Sequence, residues 1–338
     1  MDISTVGVDL AKNVFQVHGM NKRGKMIVRK RLSRGKFLEF FANLPPCLVA
    51  MEACGSASCW GRRLQVLGHE VRLISPQFVK PYVKTNKNDF NDAEAICEAA
   101  SRPRMRFVPV KTIEQQDIQC LHRVRQLLVQ QRTALVNQAR GLLREYGVFI
   151  PRGIGCFRRA MPEVLEDGDN ELTDLTRPLM ADLYTRVQEL DQHIDGYKRH
   201  IEALSRARPV CQRMEKVEGV GALTATAVMA AAGDAKVFKN GRQMSAWLGL
   251  VPRQHSSGEH NRLFGISKRG DVYVRSLLIH GARSVVLRCK HKSDPKSRWL
   301  QGLIQRRGFN RACVALANKN ARTLWALMAH GEEYRPAA

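Results

Sequence analysis

The sequence predicts an α/β domain over 1–110, a helical middle region over 111–210 and a mainly helical C-terminal domain over 211–338. Three observations carry that expectation. Short apolar segments alternate with turn-forming residues as far as Pro76; apolar residues then recur every seven positions in two long stretches; and from Val217 onward alanine-rich segments alternate with glycine-bearing ones. A length of 338 residues allows two or three domains with cores of their own.

Strands are expected at 3–9, 14–18 and 26–32, the last two joined by the turn Asn21-Lys22-Arg23-Gly24. A helix over 36–44 stops at Pro45-Pro46, because proline lacks the N–H that a helix needs. A strand at 48–52, a helix at 60–67 closed by Gly68 and a strand at 70–74 before Pro76 follow. Strand, strand, strand, helix, strand, helix, strand is the order of the ribonuclease-H-like fold, an analogy of fold and not of function. That fold places one acid on the first strand, one on the fourth and the rest on a later helix. Asp9, Glu52 and the pair Asp89 and Asp92 stand at those places.

One long helix is expected over 113–148, with Leu121, Leu128, Leu135 and Leu142 seven apart and Val124 and Ala139 between them. A second heptad run comprises Leu183, Val187, Leu190, Ile194, Tyr197, Ile201 and Leu204. The two runs read as a coiled coil, paired either with each other or with a second subunit. Between them lie a loop at 151–155 and an acidic stretch at 163–169. Glu218-Gly219-Val220-Gly221 opens an alanine-rich helix and resembles the turn of a helix-hairpin-helix module, whose backbone N–H groups can meet a phosphate. Farther on, Gly249-Leu250-Val251-Pro252 precedes a polar stretch, Arg253-Gln254-His255-Ser256-Ser257-Gly258-Glu259-His260, expected as a loop. Gly265-Ile266-Ser267-Lys268-Arg269-Gly270 then leads into a helix that contains Arg275 and Arg283.

Charge narrows the choice of partner. Lys and Arg number 55 against 31 Asp and Glu, a net +24 that favours polyanions through counterion release. The excess is concentrated: 236–325 holds 19 basic and 3 acidic residues, whereas 1–110 holds 18 and 9. Nine cysteines form no Cys-x-x-Cys pair, which fits reduced thiols in a cytoplasm. A zinc site from Cys54, Cys59 and a distant histidine is the thiolate alternative. No apolar run reaches the ~18–20 residues that span a bilayer, so no membrane partner is expected. The N-terminus enters a strand pattern directly, without a signal peptide.

Within this basic chain the four acids call for an explanation. Asp9 and Glu52 each end an apolar run, and Asp89 and Asp92 lie one helical turn apart, on one face. Singly, Asp89 reads as a helix cap and Asp92 as a first-turn acid meeting the dipole. Together with Asp9 and Glu52 they form what a two-metal phosphodiester site needs, oxygen ligands for Mg²⁺ that flank an in-line displacement. A carboxylate closing a buried strand is costly unless paired or metal-bound. Ser257, before Gly258, reads first as a turn residue. With Arg253, His255, His260, Arg262 and Lys268 around it, it also reads as a nucleophile in a setting that stabilises a phosphoryl oxyanion.

Four motifs carry a resemblance over nearly the whole chain. They are Gly7-Val8-Asp9-Leu10-Ala11-Lys12; Met51-Glu52-Ala53-Cys54-Gly55-Ser56; Lys84-Thr85-Asn86-Lys87-Asn88-Asp89 with Asp92-Ala93; and Gly249-Leu250-Val251-Pro252 with Ser257-Gly258. The chain resembles the DEDD transposases of the insertion sequence 110 family, in particular its 1111 subgroup. The resemblance implies an N-terminal RuvC-like domain whose Asp-Glu-Asp-Asp set falls on Asp9, Glu52, Asp89 and Asp92, and a C-terminal transposase domain whose serine falls on Ser257. It implies a Mg²⁺-dependent recombinase, with Mn²⁺ able to substitute, acting on double-stranded DNA at element ends and target. A structured guide RNA, a homo-oligomer (dimer or tetramer) and a bacterial, nucleoid-associated cytoplasmic location are implied with it. Two rivals remain: a Holliday-junction resolvase-like endonuclease with water as nucleophile, and a non-catalytic nucleic-acid-binding protein whose acids are structural.

Overall fold

β1 (Thr5–Leu10) lies inside a six-stranded sheet of order β3-β2-β1-β4-β5-β6 in the computed structural model of the chain. Residues 2–83, 89–258 and 260–335 are described. Contacts divide the chain into two units, one ending at Ile113 and one beginning at Glu114. The first runs β1, β2 (Val14–Met20), β3 (Met26–Ser33), α1 (Phe37–Ala42), β4 (Leu48–Glu52), α2 (Ala57–Val66), β5 (Glu70–Ile74), α3 (Pro76–Val79), α4 (Asp89–Ala100) and β6 (Phe107–Val108). β1, β4 and β5 are parallel, while β2, β3 and β6 run antiparallel to their neighbours. This is a mixed, ribonuclease-H-like sheet. β6 is absent from the sequence expectation, since two residues are too few to show a period. α2 begins three residues before the expected helix, after Ser56 turns the chain at φ 72°.

Alternation along the strands builds two faces. Val6, Val8, Val49, Met51 and Leu73 point to one side, where they meet Phe37 and Phe41 of α1 and Trp60 and Leu64 of α2. Phe15, Phe37 and Trp60 pack edge to face there, with centroids 4.8–5.2 Å apart. Ala50 and Ile74 point to the other side, against Ala95, Ile96, Ala99 and Ala100 of α4. The same alternation sends Asp9, two residues from Gly7, and Glu52, two from Ala50, to the α4 side.

The second unit holds α5 (Ile113–Glu145), α6 (Ile154–Glu166), α7 (Thr176–Arg206), α8 (Pro209–Glu215), α9 (Ala222–Ala232), α10 (Gly241–Trp247), β7 (Pro252–Ser257), β8 (His260–Ile266), α11 (Val272–Arg288), α12 (Pro295–Arg307) and α13 (Phe309–His330). α5 and α7 pair antiparallel: Arg132 meets Asp191 at 2.6 Å, and Tyr146 meets Thr176 at 2.8 Å. Val136, Ala139 and Leu143 of α5 fill this interface with Phe157 and Met161 of α6 and Met180 and Val187 of α7. The expected leucine series is therefore not the buried stripe of the pair. Leu121, Leu128 and Leu135 are half-buried and Leu142 is exposed. On α7 the expected register does hold the core, with Val187, Ile194 and Ile201 buried seven apart.

α8, α9, α10, α11 and α13, with Leu300 of α12, close around one large core. The stretch expected as a polar loop after Pro252 is instead the antiparallel hairpin β7–β8. β7 is polar on both faces apart from Pro252, and Leu263 and Phe264 of β8 are adjacent rather than alternating, so the hairpin lacks the apolar period that marks a strand. No helix among the described residues is long and apolar enough to cross a membrane.

Candidate active site

The placement of the acids begins with Gly7. A Cβ there would stand 2.2 Å from the Ala93 carbonyl oxygen and 2.6 Å from the Cys97 nitrogen, so only glycine lets α4 lie directly on β1. Asp9 follows two residues later on the same face, and Asp92 immediately precedes Ala93. One oxygen from each of Asp9, Asp89 and Asp92 lies within 4.8 Å of the others. Asp89 and Asp92 are the first-turn acids of α4. Residues 84–88, which belong to the third sequence motif, lie outside the described residues.

Glu52 is not among these three. It ends β4, which is parallel to β1, and the last paired rung, Val8 with Met51, puts it beside Asp9 one position on. The Cys54 thiol senses both carboxylates. Its pKa is raised first by desolvation of the sulfur, then by the charge of Glu52 and, more weakly, by that of Asp9. That thiol and the two acids share a neighbourhood at the carboxyl ends of β1 and β4. No Cys/His metal cluster with Cys54 and Cys59 occurs among the described residues.

The sequence does not single out Gln16. It pairs with Asp9 across β1 and β2, so the two side chains share a face. Gln16 is only 6 % exposed, and its Oε1 has no hydrogen-bond partner among the described residues. A buried oxygen left unpaired on the face that carries Asp9 is what a hard-cation site would leave when only the protein atoms are counted. Ligands on opposite sides of a Mg²⁺ ion stand about 4 Å apart, so oxygens within 4.8 Å need only small side-chain adjustments to share one. The residues fit a divalent cation.

Ser257 belongs to the other unit, at the tip of β7–β8. It shares the last rung with His260, and His255 shares one with Arg262. Cross-strand partners lie on one side of a ribbon, so Ser257, His255, His260 and Arg262 form one face while Gln254, Ser256 and Asn261 bond together on the other. His255 and Arg262 both pack on the Phe264 ring, at 5.2 and 5.3 Å. Every residue of β7, and all of β8 except Ile266, is exposed.

The base of the hairpin, by contrast, is locked. The buried Arg275 guanidinium donates through Nη1 to the carbonyls of Leu248 (3.1 Å) and Arg269 (2.8 Å). Gly249 (φ 73°) and Gly270 (φ 78°) bring the two segments together so closely that a Cβ on either would lie 2.0–2.2 Å from a backbone oxygen. Lys268 sits in this clasp at φ 55° rather than at the tip. The turn between α8 and α9 is less open than a helix-hairpin-helix reading expects. Gly219 faces Gly281 of α11, and Glu218 beside it is ion-paired with Lys292 and Lys296 at 3.5 and 2.8 Å.

Residues 6–148 match a DEDD-type IS110 family model described as "Transposase", and residues 211–298 match a model described as "Transposase IS116/IS110/IS902 family". A "probable family 20 transposase" of Pseudomonas aeruginosa is 55% identical, over 99% of this chain and all of the relative. The transposase for insertion sequence element IS1111A of Coxiella burnetii is 51% identical, over 99% of this chain and 92% of the relative. The transposase for insertion sequence element IS1328 of Yersinia enterocolitica is 41% identical, over 98% of both.

Proposed function

The chain belongs to the IS116/IS110/IS902 family of transposases, and from that premise we propose that it cuts and rejoins DNA with Ser257 as nucleophile and Mg²⁺ held by Asp9, Glu52, Asp89 and Asp92. It is a DNA transposase; the finer reading concerns how it acts. The observation that supports it best is the convergence of the Asp9, Asp89 and Asp92 oxygens within 4.8 Å, with Glu52 on the adjoining strand.

In this reading Ser257 Oγ bonds to phosphorus and the bond from that phosphorus to one sugar oxygen breaks. The sugar oxygen leaves and takes up a proton from water, and the cut strand stays on the protein as a phosphoserine. The serine proton passes to His260, its partner on the same rung. Arg262 and His255 line that face and bind the phosphate oxygens. Rejoining is the reverse, with a strand hydroxyl attacking the phosphoserine and Ser257 leaving. When bound, Mg²⁺ supplies positive charge that polarises the phosphate and stabilises the leaving oxygen.

Two further parts of the reading concern partners. The helical region 111–210 mediates self-association, as a dimer or tetramer; Val124, Leu127 and Leu142 on α5 and Leu175 and Leu179 beside or on α7 are exposed apolar residues that support it. The C-terminal excess of 19 basic over 3 acidic residues in 236–325 supports a grip on polyanions that is blind to sequence, so target choice falls to a structured guide RNA.

The deciding experiment traps wild-type protein on a nicked suicide DNA with Mg²⁺ and seeks a covalent adduct on a denaturing gel. Ser257→Ala should give none, and Asp9→Asn should give none while retaining its fold. An adduct from Ser257→Ala would place the nucleophile elsewhere. Cleavage by wild type without an adduct would mean a resolvase-like hydrolysis. Mixing Asp9→Asn with Ser257→Ala protein restores activity if two chains share a site. Recombination that is unchanged after removal of all RNA would refute the guide.

A further inference from the structure

One face of α13 forms the wall of a groove of about 1480 Å³ within the second unit, completed by β8, the start of α10 and the end of α12. Arg242, Arg307, Arg311, Lys319 and Arg322 line it, all exposed, and none of its lining residues is acidic. None of these five forms an ion pair with a carboxylate among the described residues. Cations left unpaired along one track call for an anionic ligand with repeated charges. Arg311 and Arg322 stand eleven residues apart on the helix, about 16 Å at 1.5 Å per residue, so the track is longer than a single phosphate.

Apolar and aromatic residues make up most of the rest of the lining, with Leu263 and Phe264 of β8 on one side and Trp299 at the end, while Asn240, Asn310, Asn318 and Thr323 are neutral and polar. Trp299 is 37 % exposed, and the Lys319 ammonium stands 5.2 Å from its ring centroid. Bases in a duplex have their faces covered by stacking on their neighbours, so an aromatic ring beside a line of cations suits a strand whose bases are free. Beyond Trp299 the lining changes. The adjoining cavity shares Trp299 and Lys319 but mixes both signs of charge, with Glu218, Asp294, Glu332 and Glu333 beside Lys216, Lys296 and Arg335. Lys296 is ion-paired with Glu218 and Lys216 with Glu333, so the run of cations without acidic neighbours stops at the tryptophan.

The structure assigns this groove to an unpaired DNA strand, its phosphates along Arg311, Arg322 and Arg242 and a base stacked on Trp299. Exchanging strands between two DNA partners unpairs bases, and a binding surface for them keeps the freed segment from re-annealing. The assignment rests on the proposed function only for the origin of that strand. Binding needs neither Ser257 nor metal, so the two can fail separately.

The test is fluorescence anisotropy of full-length Ser257→Ala protein in EDTA, titrated into a labelled fifteen-nucleotide oligothymidylate, its RNA counterpart and a duplex of equal length. Loss of one stacked base should weaken single-strand binding by roughly five- to hundred-fold in Trp299→Ala, while duplex binding stays within about twofold. Trp299→Phe should restore most of the loss, which a merely misfolded variant would not. Arg311→Ala with Arg322→Ala should flatten the salt dependence of single-strand binding. Equal single-strand affinity in wild type and Trp299→Ala overturns the assignment, as does equal loss of single-strand and duplex binding. A tenfold preference for the RNA strand also overturns it, because the occupant is then RNA.

Discussion

Replacing Gly7 by alanine tests whether the close seat of α4 on β1 makes the acid cluster. The new methyl would lie 2.2 Å from the Ala93 carbonyl oxygen, 2.6 Å from the Cys97 nitrogen and 2.7 Å from the Cys97 Cβ. None of these is the free end of a flexible side chain, so the helix itself must move. An ordinary carbon–oxygen contact is about 3.3 Å, which asks α4 to retreat by about 1 Å. Overpacking of that kind costs about 1–3 kcal/mol, a fall in melting temperature of roughly 5–15 °C for a unit of this size. The retreat carries Asp89 and Asp92 away from Asp9, and a displacement of about 1 Å in a reacting site costs about a hundredfold in rate. Mn²⁺ titration calorimetry, thermal melting and the suicide-substrate assay should all register the change. Gly19→Ala is the control, because there the nearest atom is the Val28 Cβ at 3.4 Å, an ordinary contact. Gly7→Ala protein that melts and binds Mn²⁺ like wild type would refute the reasoning.

Three other outcomes follow from the same geometry. Gln16→Leu should lower Mn²⁺ affinity roughly tenfold, as loss of a residue supporting a metal site does, without lowering the melting temperature, since the orphaned Oε1 goes too; unchanged Mn²⁺ affinity would remove Gln16 from the site. His122 is 2 % exposed, and burial, then the Arg125 charge, lowers its pKa to about 4. Thr226 donates its hydroxyl to the Ala222 carbonyl, so His122 Nε2 is the protonated nitrogen and Nδ1 accepts from Tyr273. The unfolded chain takes up the proton near pH 6.5, so the second unit should lose about 3 kcal/mol as pH falls from about 6.5 to 4, and none from this group above 7; urea melts of wild type and His122→Gln with the same slope against pH would contradict this. Arg275→Met should strand the Leu248 and Arg269 carbonyls, costing about 2–3 kcal/mol, and should slow adduct formation while Mn²⁺ affinity holds; an unaltered adduct rate would show that the clasp does not position Ser257.

The first unit was largely legible in the sequence because its strands are apolar runs bounded by proline, glycine and asparagine, and the sheet follows from their order. Asp9, Asp89 and Asp92 stood out as acids in a basic chain, and the fold brings their oxygens together; their role is a matter for the trapping experiment. Gln16 could not be found that way. In 14–18 it looks like the polar residue of a half-buried strand, and only the pairing of β1 with β2 sets it opposite Asp9. The leucine series on α5 misled for a related reason. A helix of thirty-three residues offers several apolar stripes, and α6 selects the one through Val136, Ala139 and Leu143. That choice is tertiary. The β7–β8 hairpin escaped because its strands bury neither face.

That bareness has a kinetic meaning. A two-stranded ribbon in water is marginally stable by itself, and this one is anchored at the Gly249–Gly270 clasp at its base. A reacting group must be held to within about 0.5 Å, which an unsupported tip does not achieve. If Ser257 attacks DNA, its aim is set by whatever lies against the hairpin when the nucleoprotein complex is complete. A lone molecule meeting a stray duplex is then a poor nuclease, and strand cutting should rise more steeply than linearly with protein concentration. Were Ser257 the nucleophile, the protein outside its complex would be harmless because that residue stands on an exposed strand.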